Sequence, residues 1–327
     1  MKRYILLLIS CLHLLTACGK EHTTTENPPR KAFVVGYLFA NTGLLEAAKK
    51  LDFTKITHLN IAFINPDATG TFPTVLGLSE TVKLAHQHDV KVFASFAGGS
   101  PPEHLKDLLK PAKQKALIVN FGKLVDTYSL DGIDVDLEGD FIDENYESFV
   151  VGLSDLLRAK KKLMTAAVAT WTSNRITDKA LARYDLVHIM SYDYTGPWNK
   201  SNAGPHATYA HMVKDFTHWR DVRQVAPEKL VIGLPFYGYG FGPSIADDIT
   251  YKALVAQYPE AVHTDEIVIP QQGTFYYNGA ATIASKAIYA REQGAGGVMV
   301  WHLLGDADAP HALLQIIQDN LYPTTSR

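Results

Sequence analysis

From residue 33 onward, short apolar runs alternate with amphipathic stretches. The runs fall at 33–37, 57–64, 91–96, 132–138, 163–169, 185–192, 230–236 and 296–301, with Val and Ile frequent in them. Most are five to eight residues long, as expected of parallel strands buried on both faces. Between them lie helical patterns, such as 79–88 with Val82, Leu84 and Ala85, and 146–157 with Phe149, Val150, Leu153, Leu156 and Leu157. Eight strands with intervening helices predict an α/β architecture, a (β/α)8 TIM barrel over residues 32–323. A doubly wound open sheet is the rival, and no phosphate-binding glycine loop follows the first run to favour it. Residues 241–275 make a longer gap before a helical pattern at 281–293. A small insertion is therefore expected between strand 7 and helix 7, above the barrel mouth.

The first seventeen residues follow a different pattern. Lys2 and Arg3 precede an apolar run at 4–15 that is too short to span a bilayer as a mature helix. A positive start, a short apolar middle and small residues at the end predict a signal peptide over 1–17. Its end, Leu15-Thr16-Ala17-Cys18-Gly19, resembles the lipobox of bacterial lipoproteins. That resemblance implies cleavage before Cys18, lipidation there, and a secreted protein anchored to a bacterial membrane by its lipid. Residues 18–31, with Thr23-Thr24-Thr25 and Pro28-Pro29, then read as the lipidated cysteine and a tether. Cys11 and Cys18 are the two cysteines, so the expected mature domain has no disulfide and depends on its core.

Composition changes this picture little. The chain is 46% hydrophobic and 20% charged, ordinary values for a globular protein. Its formal charge of −3 gives no electrostatic case for nucleic acid as a partner. The histidines, His188 and His302 among them, show no metal-ligand spacing. No metal or cofactor is expected, and the protein is expected to be a monomer.

The candidate chemistry sits in the fourth run, Asp131-Gly132-Ile133-Asp134-Val135-Asp136-Leu137-Glu138. A strand has period two, so Asp134, Asp136 and Glu138 share one face while Ile133, Val135 and Leu137 share the other. In a barrel the apolar face meets the helices, which places three carboxylates inside, rising toward the C-terminal rim where barrel enzymes keep their sites. Stacked ionisable groups in a packed interior lose hydration and repel one another, a poor arrangement for structure alone. The same crowding is expected to raise the pKa of the uppermost group, so that Glu138 stays protonated near neutrality as a general acid. Two carboxylates on one wall are badly placed to flank a glycosidic bond from opposite faces.

These residues resemble glycoside hydrolase family 18, the chitinase family, whose strand-four signature Asp-x-x-Asp-x-Asp-x-Glu is matched by Asp131, Asp134, Asp136 and Glu138. Met190-Ser191-Tyr192-Asp193 resembles its strand-six motif. Gly233-Leu234-Pro235-Phe236-Tyr237-Gly238 is similar to its strand-seven segment, and Gly296-Gly297-Val298-Met299-Val300-Trp301 to its strand eight. The resemblance implies that Glu138 protonates the leaving oxygen and later activates water. It implies that Asp136 holds the substrate acetamide, that Asp134 is the lower acid of the catalytic set, and that Tyr192 bonds the acetamide oxygen. Asp193, Trp301, Met190, Tyr37, Ser95 and Trp198 are the implied substrate-binding positions; Tyr37 and Ser95 also match positions that contact Asp134. Trp171, Trp198 and Trp301 fall at or just past strand ends, where aromatics serve as platforms for sugar rings, whereas Trp219 reads as packing.

The chain departs from the family pattern in places. Leu137 stands where many members have an aromatic, and Gly139 where they have Tyr; the family's Ser-x-Gly-Gly appears as Ser95-Phe96-Ala97-Gly98-Gly99. The expected partner is an N-acetylglucosamine-containing polysaccharide or glycan. Retaining, endo-acting, substrate-assisted hydrolysis of β-1,4-linked N-acetylglucosamine polymers is the leading expectation. Cleavage of N-glycans or of peptidoglycan glycan is the nearest alternative, and a non-catalytic sugar-binding protein the more distant one.

Overall fold

In the computed structural model, residues 32–40 and 43–323 are described, so the expected signal peptide, Cys18 and tether lie outside the described residues. Seven strands come first: β1 (Phe33–Phe39), β2 (His58–Ala62), β3 (Lys91–Ala97), β4 (Gly132–Asp136), β5 (Leu163–Val168), β6 (Leu186–Ile189) and β7 (Leu230–Pro235). Four further strands follow, β8 (Tyr237–Phe241), β9 (Asp248–Thr250), β10 (Glu266–Ile269) and β11 (Gly273–Tyr276), and then β12 (Gly297–Trp301). β1 through β7 and β12 form a closed, all-parallel barrel in which β12 pairs with both β7 and β1. This is the predicted (β/α)8 barrel.

Two layers hold it together. Outside, Ile133, Val135 and Leu137 join one buried core with the helices Pro111–Tyr128 and Tyr146–Ala159, the latter burying Phe149, Val150, Leu153 and Leu157. Each such side chain contributes roughly 1.5–3 kcal/mol on leaving water, which fixes the outward face of β4 and so the inward face as well. Inside, Val35, Tyr37, Ala62, Leu186, Val231 and Met299 pack together, with Met190, Tyr192 and Trp301 against them. Trp219 is fully buried, and its ring N–H donates to Thr170 Oγ1 at 3.1 Å.

Several strands are shorter than the apolar pattern suggests, and two of these matter for the site. β4 stops at Asp136 and β6 at Ile189, against the predicted 132–138 and 185–192. Leu137 still packs outward at 2% exposure, so the pattern persists for one residue after the ladder has ended. Past these points the backbone leaves the sheet and presents Glu138 and the segment from Met190 to Asp193 at the C-terminal rim.

The expected insertion begins directly after β7. It is a four-stranded antiparallel sheet in the order β10-β11-β8-β9, joined to a helix at Tyr251–Gln257. Tyr237 and Tyr239 of β8 stand beside Asp193 and Trp198, so this sheet forms one wall of the rim.

Candidate active site

Strand register builds the lowest layer of the site. Asp134 is paired with Ser95 on β3 and with Thr165 on β5, which sets both hydroxyls beside its carboxylate. Ser95 donates to Oδ2 at 2.8 Å and Thr165 to Oδ1 at 2.6 Å. Tyr37 donates to Oδ2 at 2.7 Å, and His188 Nδ1 lies 3.4 Å from Oδ1. Burial alone would raise this carboxyl, but the bond and charge of His188, with Thr165 and Tyr37, outweigh it and hold Asp134 below its ordinary value. Asp134 is a fixed anion.

One pleat higher, Asp136 is 4% exposed and its Oδ1 is buried without a hydrogen-bond partner. Burial, then the charges of Glu138 and Asp134, push it well above the ordinary carboxylate range. Glu138 stands at the top of the wall, raised to about 7 by burial and then by the charge of Asp193. Desolvation leads, and the charge acting on Glu138 comes from Asp193, four residues past the end of β6, while the repulsion between Glu138 and the acid below raises Asp136. Close like charges in a dry floor resist joint ionisation, so the upper pair retains a proton near neutrality.

The cleft above these carboxyls has a central cavity of about 490 Å3, lined by Tyr37, Phe63, Asp136, Glu138, Met190, Tyr192, Asp193, Trp171, Trp198 and Trp301 among others. Trp301 forms its aromatic floor, 5.5 Å from Phe63 in a stacked pair and 5.5 Å from Tyr37 edge-on. Gly98 permits this floor: it carries φ +85°, and a Cβ there would lie 2.4 Å from the Phe63 ring. Gly233 does the same for Tyr192, since a Cβ would lie 2.9 Å from Tyr192 Cε1 and 2.4 Å from the Ile189 carbonyl oxygen. The Tyr192 hydroxyl is raised by burial first and then by the charges of Asp193, Asp136 and Glu138, so it stays protonated as a donor. Trp171 and Trp198 are 69% and 64% exposed on the rim, open to a ligand.

Of the positions grouped as substrate-binding, Asp193, Trp301, Met190, Tyr37 and Trp198 line this cavity. Ser95 does not line it; it is fully buried beneath, and its hydroxyl is committed to Asp134.

Sequence reading missed Thr165 and His188 as holders of Asp134. Parity along the run could have found His188, because Leu186, His188, Met190 and Tyr192 alternate with outward residues and must face inward. It also missed the group around Asp193. The Tyr237 hydroxyl donates to Asp193 Oδ1, and His206 Nδ1 lies 3.3 Å from the same oxygen. These come from β8 and an irregular segment, which no period marks.

Together these groups can do acid catalysis on a sugar. An aromatic floor supports a ring, a buried carboxyl offers a free acceptor, and a carboxylic acid protonated near neutrality can reach a leaving oxygen.

Comparison with known proteins agrees with this geometry. Residues 33–306 match the family described as "Glycosyl hydrolases family 18". The fold superposes with a TM-score of 0.82 on the GH18 chitinase ChiB from the chitin utilization locus of Flavobacterium johnsoniae, at 34% identity over 89% of this chain and 94% of that one. A chitinase from Bacteroides thetaiotaomicron is similar at 27% identity and TM-score 0.77, over 90% of this chain and 98% of that chain. In sequence the chain is 24% identical to Chitinase A1 of Niallia circulans over 358 residues, covering 88% of this chain and 48% of that protein. The chain thus spans about half the length of that curated relative.

Proposed function

This chain belongs to the glycosyl hydrolases of family 18, and from that premise we propose that it hydrolyses β-1,4-linked N-acetylglucosamine polymers, within the chain and with retention, using the substrate's own acetamide as nucleophile. The observation that carries this reading is the pairing of Asp136 and Glu138 on one wall: a buried acceptor without a partner beside an acid raised to about 7.

In the proposed reaction, Glu138 gives its proton to the glycosidic oxygen as the bond to C1 breaks. The acetamide oxygen attacks C1 and forms an oxazolinium ion, whose N–H is held by Asp136 and whose oxygen is near the Tyr192 hydroxyl. Glu138, now a carboxylate, takes a proton from water as that water attacks C1 and reopens the ring. Displacement occurs twice at C1, so the configuration is retained. Trp301 supports the ring, and Asp193 bonds its hydroxyls. Asp134 stays ionised beneath and holds the wall in place.

The test is mass spectrometry of products after incubation with chitooligosaccharides, a high-mannose glycoprotein and peptidoglycan. Internal cleavage of the chitooligosaccharides supports the proposal. Release from the glycoprotein or peptidoglycan alone moves the substrate to that polymer. If glucosamine replaces N-acetylglucosamine at the cleaved position, turnover is expected to vanish; rapid cleavage there would rule out acetamide participation. The chain is further proposed to be secreted and lipid-anchored through Cys18, motivated by the lipobox at Leu15-Thr16-Ala17-Cys18. Wild-type protein is then expected in the detergent phase of an extraction and Cys18→Ala in the aqueous phase. Equal partitioning would remove the anchor.

A further inference from the structure

Asp193 sits in an unusual backbone state. Its φ is +62°, in the left-handed region that few residues other than glycine adopt. It is also the neighbour whose charge acts on Glu138. His206 is positioned to hold its side chain. Nδ1 of His206 lies 3.4 Å from the Asp193 backbone N and 3.3 Å from Oδ1. The ring is fully buried, packed at 5.0 Å against Tyr237 and 4.8 Å against Tyr239.

The other nitrogen decides the tautomer. His206 Nε2 is buried without a partner, so a proton there would be a donor with nothing to bond. A proton on Nδ1 instead donates to the Asp193 carboxylate. His206 is itself anchored: its carbonyl accepts from Tyr194 N at 3.0 Å. The next carbonyl, Ala207, accepts from Lys286 Nζ at 2.8 Å and Asn278 Nδ2 at 2.9 Å. Lys286 is fully buried and also donates to Asn278 Oδ1 at 2.7 Å. Burial lowers this amine to about 7 against the charges of Asp265 and Asp215, and here its bonds serve to fix one carbonyl beneath His206.

We infer that His206 is a positioning residue for hydrolysis: it holds Asp193 beside Glu138, and Lys286 and Asn278 anchor its segment from below. The inference rests on the reaction proposed above. It assigns a role to a residue outside the strand motifs that carry the family resemblance.

The test is a double-mutant cycle on kcat/KM with a chromogenic N-acetylglucosamine oligomer, using full-length protein and counting active sites. His206→Leu is expected to lower kcat/KM by roughly tenfold to a hundredfold, the worth of a hydrogen bond to a charged group. His206→Asn puts an amide N–H near the place of Nδ1 and is expected to restore most of that loss. In an Asp193→Ala background His206→Leu is expected to cost less than about twofold, because coupled groups lose their effect together. Equal losses in both backgrounds with an active wild type overturn this inference alone and leave a packing role. A wild type that cleaves no such oligomer overturns the proposed function and this inference with it.

Discussion

Asp134 on β4 and Glu138 just past its end share a face and a functional group, and they behave as opposites. Asp134 is met by Tyr37, Ser95, Thr165 and His188 and is held below its ordinary pKa. Glu138 stands beyond the last ladder pair, is largely desolvated, faces the charge of Asp193, and rises to about 7. Burial pushes both upward. The number of donors aimed at each carboxyl decides the outcome, so one strand supplies a permanent anion at its base and a proton donor at its tip. Asp136 lies between them in kind as well as in place, buried but with an oxygen left free.

The largest effect should come from removing the proton donor. Glu138→Gln is expected to keep the fold and lower turnover by at least ~10²–10⁴-fold, the usual worth of a general acid. A variant retaining more than about a tenth of wild-type rate would sink the assignment. Next, Asp134→Ala leaves Tyr37, Ser95, Thr165 and His188 without their shared acceptor. It is expected to destabilise the fold by about 3–5 kcal/mol in denaturant unfolding, the cost of stripping one partner from a buried charged network. A loss below about 1 kcal/mol would mean that the four donors find other partners and that the lower clamp is not a unit.

How much of this contrast was legible in sequence depends on period. The three inward carboxylates followed from strand alternation, because Ile133, Val135 and Leu137 had to face the helices. Tyr37 and Ser95 were tied to Asp134 only through family resemblance. Thr165 needed barrel closure, since register between β4 and β5 alone sets it opposite Asp134. His206, Tyr237 and Tyr239 reach Asp193 from outside the barrel strands; Tyr237 and Tyr239 alternate with Gly238 and Gly240 on β8, but that alternation does not say which barrel residue they face. For that reason the raised state of Glu138 was expected, but the lead of desolvation and the part of Asp193 were not. The acids below were visible in the sequence, and Asp193 as a neighbour was not.

A smaller effect should follow from Tyr37→Phe, which removes one donor of four. It is expected to cost ~1.5–3 kcal/mol of stability by the same unfolding measurement, less than Asp134→Ala. An equal cost would mean that Tyr37 carries the whole clamp. The smallest effect expected is on the pH profile. Glu138 must be protonated to act, so kcat/KM should be sustained at lower pH and fall as pH rises through about 7, the value to which its surroundings raise it. Asp193→Asn removes a like charge, stabilises the ionised form of Glu138 and should move that alkaline limb to lower pH. A limb that stays in place or moves upward would show that burial alone sets the acid.

The contrast between the two ends of β4 can be read without turnover. Carbon-13 labelling of the side-chain carboxyls, followed by an NMR pH titration of wild type and Glu138→Gln, reports each protonation state directly. The account predicts a resonance that titrates with a midpoint near 7 and disappears in Glu138→Gln, while the Asp134 resonance stays at its ionised position down to below the ordinary carboxylate range. A Glu138 midpoint at the ordinary value of 4.5, or an Asp134 that takes up its proton first, would contradict it.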